Sequence, residues 1–391
     1  MSKHHIADRL TTFGTSIFAE MTRLATERGA INLAQGFPDF DGPDHVKLAA
    51  AQAVQAGHGQ YARMFGLPAL NQAVAGWMKR QAGMTVDPDR EVTVTAGCTE
   101  AIAATILGLV NPGDEVILFE PYYDSYRACV SMAGATPRFV TLRAPDFTFD
   151  ADELRRAFTS RTKAILVNTP QNPTGRVFTR EELSAIAELC IQHGVIALAD
   201  EVYEKLVFEG DFARLATLPG MAERTVTMSS LGKTFSLTGW KIGWTVAPAE
   251  LTAGVRAAHQ FLTFAVSTPM QHAAVVALNS PQSYFDRLLS EYRRKRDFLG
   301  AALSRLGFQF RPPEGSYFIY ADHTPISSKL GLGDDVAFCK AMIEKVSVAA
   351  IPPTAFYENK EEGKRLVRFA FCKKDETLRA AVERLSALAS G

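Results

Sequence analysis

Between about residues 91 and 247, short and mostly apolar runs alternate with longer stretches whose apolar residues recur at helical spacing. The runs fall at 92–95, 115–119, 137–142, 164–168, 195–199, 225–228 and 242–247. Runs without a polar face suit strands that are covered on both sides. Helical patterns at 99–110 and 180–193 lie between them. This rhythm predicts an α/β fold, a mainly parallel seven-stranded sheet with helices on both faces. After about residue 278 the rhythm changes. A charged helix at 281–306 leads to strand patterns at 308–310, 317–320 and 366–371, with helices near 334–345 and from 375 onward. Separated strands and helices of this kind predict a second, smaller α+β unit.

A chain of 391 residues can bury a core of that size in two units. Its 47% hydrophobic and 21% charged residues match an ordinary water-soluble enzyme. Forty-two basic residues cancel 42 acidic ones, so no global field draws in nucleic acid or an anionic membrane. Acidic ligands must be held by local charges. Cys98, Cys129, Cys190, Cys339 and Cys372 are scattered without a Cys-x-x-Cys or a zinc-like His/Cys spacing. They read as reduced thiols of a cytoplasmic protein, and no metal is expected. Lys3, His4, His5, Asp8 and Arg9 precede no apolar stretch, so no signal peptide is expected, and His4-His5 is too short to argue a metal site. The most apolar helical run, 101–110, is about half the length that spans a bilayer.

Chemistry concentrates where the strand patterns end, the edge at which open α/β sheets collect ligands. Lys233 lies in Ser229-Ser230-Leu231-Gly232-Lys233-Thr234-Phe235, and Lys241 follows in Thr238-Gly239-Trp240-Lys241. An amine that reacts with an aldehyde needs room, a lowered pKa and a nearby anion site for a charged cofactor. This segment can supply all three, or it is a Gly/Ser loop with a solvated lysine. Gly97-Cys98-Thr99-Glu100 follows the first run and opens a helix, so its N–H groups suit an anion, or Thr99 and Glu100 are ordinary caps. Asp200 and Tyr203 follow the run at 195–199, and Asn172 follows the run at 164–168 in an Asn-Pro-Thr-Gly turn. Tyr123, with Tyr122 as competitor, offers an aromatic face to a ring or to the core. Arg368 alternates with apolar residues in Leu366-Val367-Arg368-Phe369. Facing inward, it needs an anion: a substrate carboxylate held bidentately, or a structural partner.

Taken in order, these motifs resemble the class I/II pyridoxal-phosphate (PLP) aminotransferases of fold type I. The wording Gly232-Lys233-Thr234-Phe235 with Thr238-Gly239-Trp240-Lys241 is similar to the kynurenine, glutamine and methionine aminotransferase branch. The resemblance runs from about residue 13 to 388. It implies an N-terminal arm (1–40) joining a small domain (281–391), with a large PLP-binding domain (41–280) between them. It implies PLP on Lys233, its phosphate held by Gly97, Cys98, Thr99, Ser230 and Lys241, and by Tyr61 of a neighbouring subunit in a homodimer. Lysine at 241 replaces the arginine of most class I members and bears on the branch rather than the cofactor. Asp200 falls at the pyridine nitrogen, Tyr203 and Asn172 at the phenolic oxygen, and Tyr123 on the ring face. Gly36 and Arg368 fall at the substrate α-carboxylate.

By the same resemblance Lys233, Asp200 and Tyr203 form the catalytic set, Lys233 is both base and acid at the α-carbon, and kinetics are ping-pong. Phe18, Tyr123 and Phe264 form an apolar wall that favours neutral, aromatic or sulfur-bearing L-amino acids, with a 2-oxo acid as acceptor. Residues 260–267 contain no arginine to clamp a distal carboxylate. A cysteine-conjugate β-lyase uses the same residues and is the nearest alternative. A non-enzymatic effector-binding domain on this fold is remote, because no basic helix-turn-helix is visible. A Rossmann dehydrogenase is disfavoured, since no strand pattern precedes Gly-x-Gly-x-x-Gly.

Overall fold

A computed structural model describes residues 5–14 and 16–389. His4 and Thr15 lie outside the described residues. Eleven strands occur among them: β1 (Ile31–Asn32), β2 (Val92–Thr95), β3 (Glu115–Glu120), β4 (Thr136–Thr141), β5 (Thr162–Asn168), β6 (Ile196–Asp200), β7 (Thr225–Ser230), β8 (Gly243–Val246), β9 (Phe318–Asp322), β10 (Val348–Ala349) and β11 (Leu366–Ala370). Seven of them form one sheet in the order β2-β8-β7-β6-β5-β3-β4. β8 runs antiparallel to both neighbours, and the remaining pairs are parallel. The reversal follows from chain length. Residues 231–242 between β7 and β8 hold only the short helix Leu231–Thr234 and a 3-10 turn, too little to cross over the sheet.

Burial explains the near-continuous apolar runs. Every residue of β2, β3, β7 and β8 is buried, because helices cover both faces. The helix Arg180–His193 shows why its ends were legible: Thr179 and Glu182 form a reciprocal capping box, and Gly194 ends it with φ 67.

The second unit holds antiparallel β9–β11, parallel β1–β10 and the helices Gln282–Leu306, Asp335–Val346 and Asp375–Leu385. Helix Ile17–Glu27 and β1 pack into its core, where Met21, Ala25 and Leu33 meet Val348, Val367, Phe369 and Leu378. The strand expected at 308–310 does not form. Only an isolated pairing of Gln309 with Asp322 remains there, on the edge of β9 opposite β11, because Gly307 has just ended the long helix and Pro312-Pro313 follow, which cannot continue a ladder. Among the described residues no helix is long and apolar enough to cross a membrane.

Candidate active site

The carboxyl ends of β2, β5, β6 and β7 open onto a cavity of about 220 Å³. Helix Gly97–Leu109 starts two residues after β2, and Gly97 adopts φ 74. A Cβ on Gly97 would lie 3.3 Å from Lys241 Nζ, and one on Gly243 would lie 2.6 Å from the Gly97 carbonyl carbon. Glycine at both positions lets β8 and Lys241 close on the helix start. Lys241 Nζ stands 3.5 Å from Thr99 Oγ1, and Ser230 at the end of β7 lines the same end of the cavity. N–H groups at a helix start, hydroxyls and a cation converge there. Such a convergence suits an anion.

Asp200 ends β6 at another wall of the cavity and is buried. Its Oδ2 accepts from the Tyr126 hydroxyl at 2.6 Å, and its Oδ1 from the Val202 N–H at 3.3 Å and the Cys98 thiol at 3.6 Å. Burial pushes its carboxyl up, and these hydrogen bonds and the Lys233 charge pull it back. No lysine or arginine among the described residues pairs with it directly, so it faces the cavity as an uncompensated acid. Lys233 sits in the short helix after β7, half-buried, with Nζ 3.4 Å from the Gly36 carbonyl. The Tyr203 and Tyr317 rings stand 5.6 Å from the same amine. Burial lowers the Lys233 pKa, offset in part by Cys372 and Asp200. A less basic amine is more often neutral, as a nucleophile or base must be.

Gly97, Cys98, Thr99, Tyr123, Asn172, Asp200, Tyr203, Ser230, Lys233 and Lys241 all line this cavity. Tyr122, the competitor for the stacking position, instead packs on Phe139 at 5.4 Å within the core. Tyr126 was missed as a site residue. Its signal was present, since position 126 shares a helix face with Tyr123, and the two rings meet edge to face at 5.6 Å.

A second cavity of about 320 Å³ adjoins the first and shares Tyr123, Asn172, Tyr203, Lys233 and Thr238 with it. Arg368 lines it and is only 1% exposed. Its Nη1 donates to Asn172 Oδ1 at 2.9 Å, its Nη2 donates to the Ala34 carbonyl at 2.8 Å, and its Nε has no partner. The Phe318 ring lies 4.1 Å from the guanidinium. Burial brings its pKa down to about 10, so it stays charged at neutral pH. No carboxylate among the described residues pairs with it; its hydrogen bonds go to neutral acceptors, and the cavity is where an anion can reach it. Gly36 is held close, since a Cβ there would lie 2.7 Å from the Phe318 ring, and its carbonyl accepts from the Tyr317 hydroxyl at 2.6 Å.

Phe18 lines this second cavity. Phe264 does not: it is 46% exposed, adopts φ 67 just beyond helix Ala249–Leu262, and meets Tyr61 edge to face at 5.3 Å. Tyr61, 81% exposed, likewise lies outside both cavities of its own chain. Phe37 and Phe318, which sequence reasoning did not single out, supply the further aromatic walls.

Behind the anion site lies a second missed feature. Glu100 Oε2 accepts from the Ala96 N–H at 2.5 Å, and its Oε1 lies 2.6 Å from His259 Nδ1. His259 Nε2 lies 2.9 Å from the Met64 carbonyl. A carboxylate and a carbonyl both accept, so the arrangement favours the imidazolium form of His259, in which both ring nitrogens donate. Burial lowers its pKa, but the Glu100 bond and charge and the Met64 carbonyl outweigh that, and the net shift is upward. Glu100 is therefore more than a helix cap: with His259 it braces the turn that forms the anion site.

The residues present fit pyridoxal 5'-phosphate. The glycine-lined cradle suits its phosphate, the buried and uncompensated Asp200 suits a protonated ring nitrogen, and a lysine of lowered basicity suits its aldehyde. Fold and site together define a PLP-dependent enzyme of fold type I. A family model for aminotransferase class I and II matches residues 28–385, and this chain belongs to that family. It is 48% identical to the probable N-succinyldiaminopimelate aminotransferase of Mycobacterium tuberculosis, over 97% of this chain and 98% of that one. It is 41% identical to methionine aminotransferase of Escherichia coli, over 97% of each. Human kynurenine–oxoglutarate transaminase 3 is 40% identical over 97% of this chain and 90% of that protein. The solved M. tuberculosis structure superposes with a TM-score of 0.94, covering 98% of this chain and all of that one.

Proposed function

We propose that this aminotransferase takes a neutral, aromatic or sulfur-bearing L-amino acid as donor and a 2-oxo acid as acceptor, in two successive half-reactions. The observation that carries the reading is Arg368, a buried guanidinium without an anionic partner, set in a cavity walled by Phe18, Phe37 and Phe318. Its remaining N–H groups suit the α-carboxylate, and the rings suit an uncharged side chain. An N-succinylated diamino acid, named for the M. tuberculosis relative, carries further carboxylates. Besides Arg368 and Lys233 no cation among the described residues lines the cavity to receive them.

In this reading Gly97, Cys98, Thr99, Ser230 and Lys241 hold the phosphate of PLP, Asp200 its ring nitrogen, Tyr203 and Asn172 its phenolic oxygen, and Tyr123 its face. Bound PLP withdraws electrons from the substrate α-carbon and so makes its proton acidic. Arg368 and Gly36 orient the donor by its carboxylate, and Asn172, bonded to Arg368, couples that position to the first cavity. Lys233 would take the proton from the α-carbon and deliver it to the former aldehyde carbon of the cofactor, one amine serving as base and acid. Asp200 keeps its charge beside the ring nitrogen throughout. We also propose an arm (1–40) and small domain (281–391) around a large domain (41–280), assembled as a cytoplasmic homodimer. The packing of helix Ile17–Glu27 on the C-terminal core supports the first part, and exposed Tyr61 and Phe264 support the second.

The test is a half-reaction screen with purified holoenzyme, following the visible absorbance of the lysine-bound cofactor. Methionine, phenylalanine, glutamine and kynurenine are expected to react at least tenfold faster than aspartate or N-succinyldiaminopimelate. Faster reaction with the acidic donors overturns the reading.

A further inference from the structure

We propose that Asp124 is a specificity-determining residue, whose carboxylate in the substrate cavity selects donors ending in a neutral N–H group (an arylamine or a carboxamide) over donors ending in a carboxylate. The inference deepens the aminotransferase reading above and rests on it.

Asp124 opens helix Asp124–Met132 directly after Tyr123 and lines the cavity that holds Arg368. It is half-buried, and no side chain among the described residues bonds to its carboxylate. Burial pushes its carboxyl up, and the Ser125 N–H and the charge of Arg368, which forms no ion pair with it, pull it part of the way back. Gln35, on the same cavity, spends its amide N–H groups elsewhere: Nε2 donates to Thr22 Oγ1 at 2.6 Å and to the Phe18 carbonyl at 3.3 Å. Its Oε1 is therefore left as an acceptor.

Tyr123, Asn172, Tyr203 and Lys233 are assigned to the cofactor above and Thr238 can donate or accept; the other polar side chains left to a donor side chain, Asp124 and Gln35, present acceptors. The two cations of the cavity are already committed, Arg368 to the α-carboxylate and Lys233 to the α-carbon. A distal carboxylate meets Asp124 with no further cation among the described residues of the cavity to offset the repulsion. A distal N–H meets an anionic acceptor, and hydrogen bonds to a charged acceptor are roughly twice as strong as neutral ones. The aromatic walls add room for a flat ring carrying such a group.

Glutamine and glutamate are nearly isosteric and differ at the end that matters. At pH 8, above the carboxylate range, Asp124→Asn and Asp124→Ser holoenzymes are compared with the wild type, with bound-cofactor absorbance as the folding control. The kcat/KM ratio of glutamine over glutamate is expected to fall about tenfold in both variants, the equivalent of one charge-assisted bond. A second readout needs no turnover. The dissociation constants of 3-(2-aminophenyl)propanoate and 3-phenylpropanoate, which lack the reacting amine, are measured by calorimetry. The preference for the arylamine is expected to drop about fivefold in both variants. The proposal stands if either ratio shifts as stated in both variants, and falls if neither moves by more than twofold. If no amino acid reacts with wild type while the analogue ratio shifts, the aminotransferase reading fails and the assignment of Asp124 survives.

Discussion

Replacing Arg368 by methionine isolates the carboxylate interaction, because methionine keeps most of the volume and none of the donors. A guanidinium carries five N–H groups, and Arg368 spends two of them on Asn172 Oδ1 and the Ala34 carbonyl. Three are left, including the partnerless Nε, enough for a bidentate grip on a carboxylate. Hydrogen bonds to charged groups contribute about 1.5–3 kcal/mol each, so losing two corresponds to roughly 10²- to 10⁴-fold. The folded protein feels less. The substitution orphans two acceptors at about 1–3 kcal/mol each, while removing a buried charge offsets part of that. The assay compares half-reaction kcat/KM for L-phenylalanine and for 2-phenylethylamine, which has the same side chain but no carboxylate. The ratio of the two is expected to fall at least about 100-fold in Arg368→Met. A ratio that stays put, or an equal loss for both donors, refutes the clamp and leaves Arg368 a structural residue.

Lys233→Ala is expected to abolish the visible absorbance of the lysine-bound cofactor and to lower turnover by at least about 10²–10⁴-fold, read by spectrum and steady-state kinetics; retention of either removes Lys233 from the chemistry. His259→Leu leaves Glu100 without its cation and the Met64 carbonyl without a donor, so the dissociation constant for PLP, titrated by fluorescence on apoenzyme, is expected to rise about tenfold. No rise separates this pair from cofactor binding. Burial pushes Glu201 from 4.5 up to about 7, with Arg214 its offsetting cation. Between those pH values the native chain holds a proton that the unfolded chain has released, so this contribution to stability is full below about 4.5 and is lost as pH rises through about 7. Thermal midpoints from pH 5 to 8 are expected to fall with a steeper slope in wild type than in Glu201→Gln, and equal slopes refute the assignment.

The sheet was legible because its strands other than the edge strand β4 are buried on both faces and therefore read as largely apolar blocks, and the helix Arg180–His193 because a capping box and a left-handed glycine mark its ends. The reversed direction of β8 left no trace in hydrophobicity; it comes from the short link after β7. The strand expected at 308–310 shrank to one pairing, Gln309 with Asp322 on the edge of β9 opposite β11, because Gly307 ends the helix just before it and Pro312-Pro313 cannot extend the ladder after it. At the site, residues lying within a few positions of a strand end could be placed from sequence, since the sheet itself carries Asp200, Lys233 and Gly97 to one edge. Contacts across 159 positions, such as His259 on Glu100, have no local signature. Phe264 shows the converse. Its segment looked like a pocket wall, but a left-handed turn sends the ring to the surface beside Tyr61.

The buried charges follow one rule across the site. Where Glu204 and Arg214 meet away from the cavities, acid and base are directly paired. Where Asp200 and Arg368 face the cavities, neither has a counter-ion, although the fold supplies Asp200 with a tyrosine hydroxyl and Arg368 with an amide and a carbonyl. Neutral hydrogen bonds orient these groups and meet part of their desolvation without cancelling their charge. The remainder is available to whatever brings the opposite charge, a ring cation at Asp200 and a carboxylate at Arg368. Unpaired buried charges at opposite ends of two joined cavities, with an amine of lowered basicity between them, thus convert a folding liability into binding energy directed at one reacting carbon.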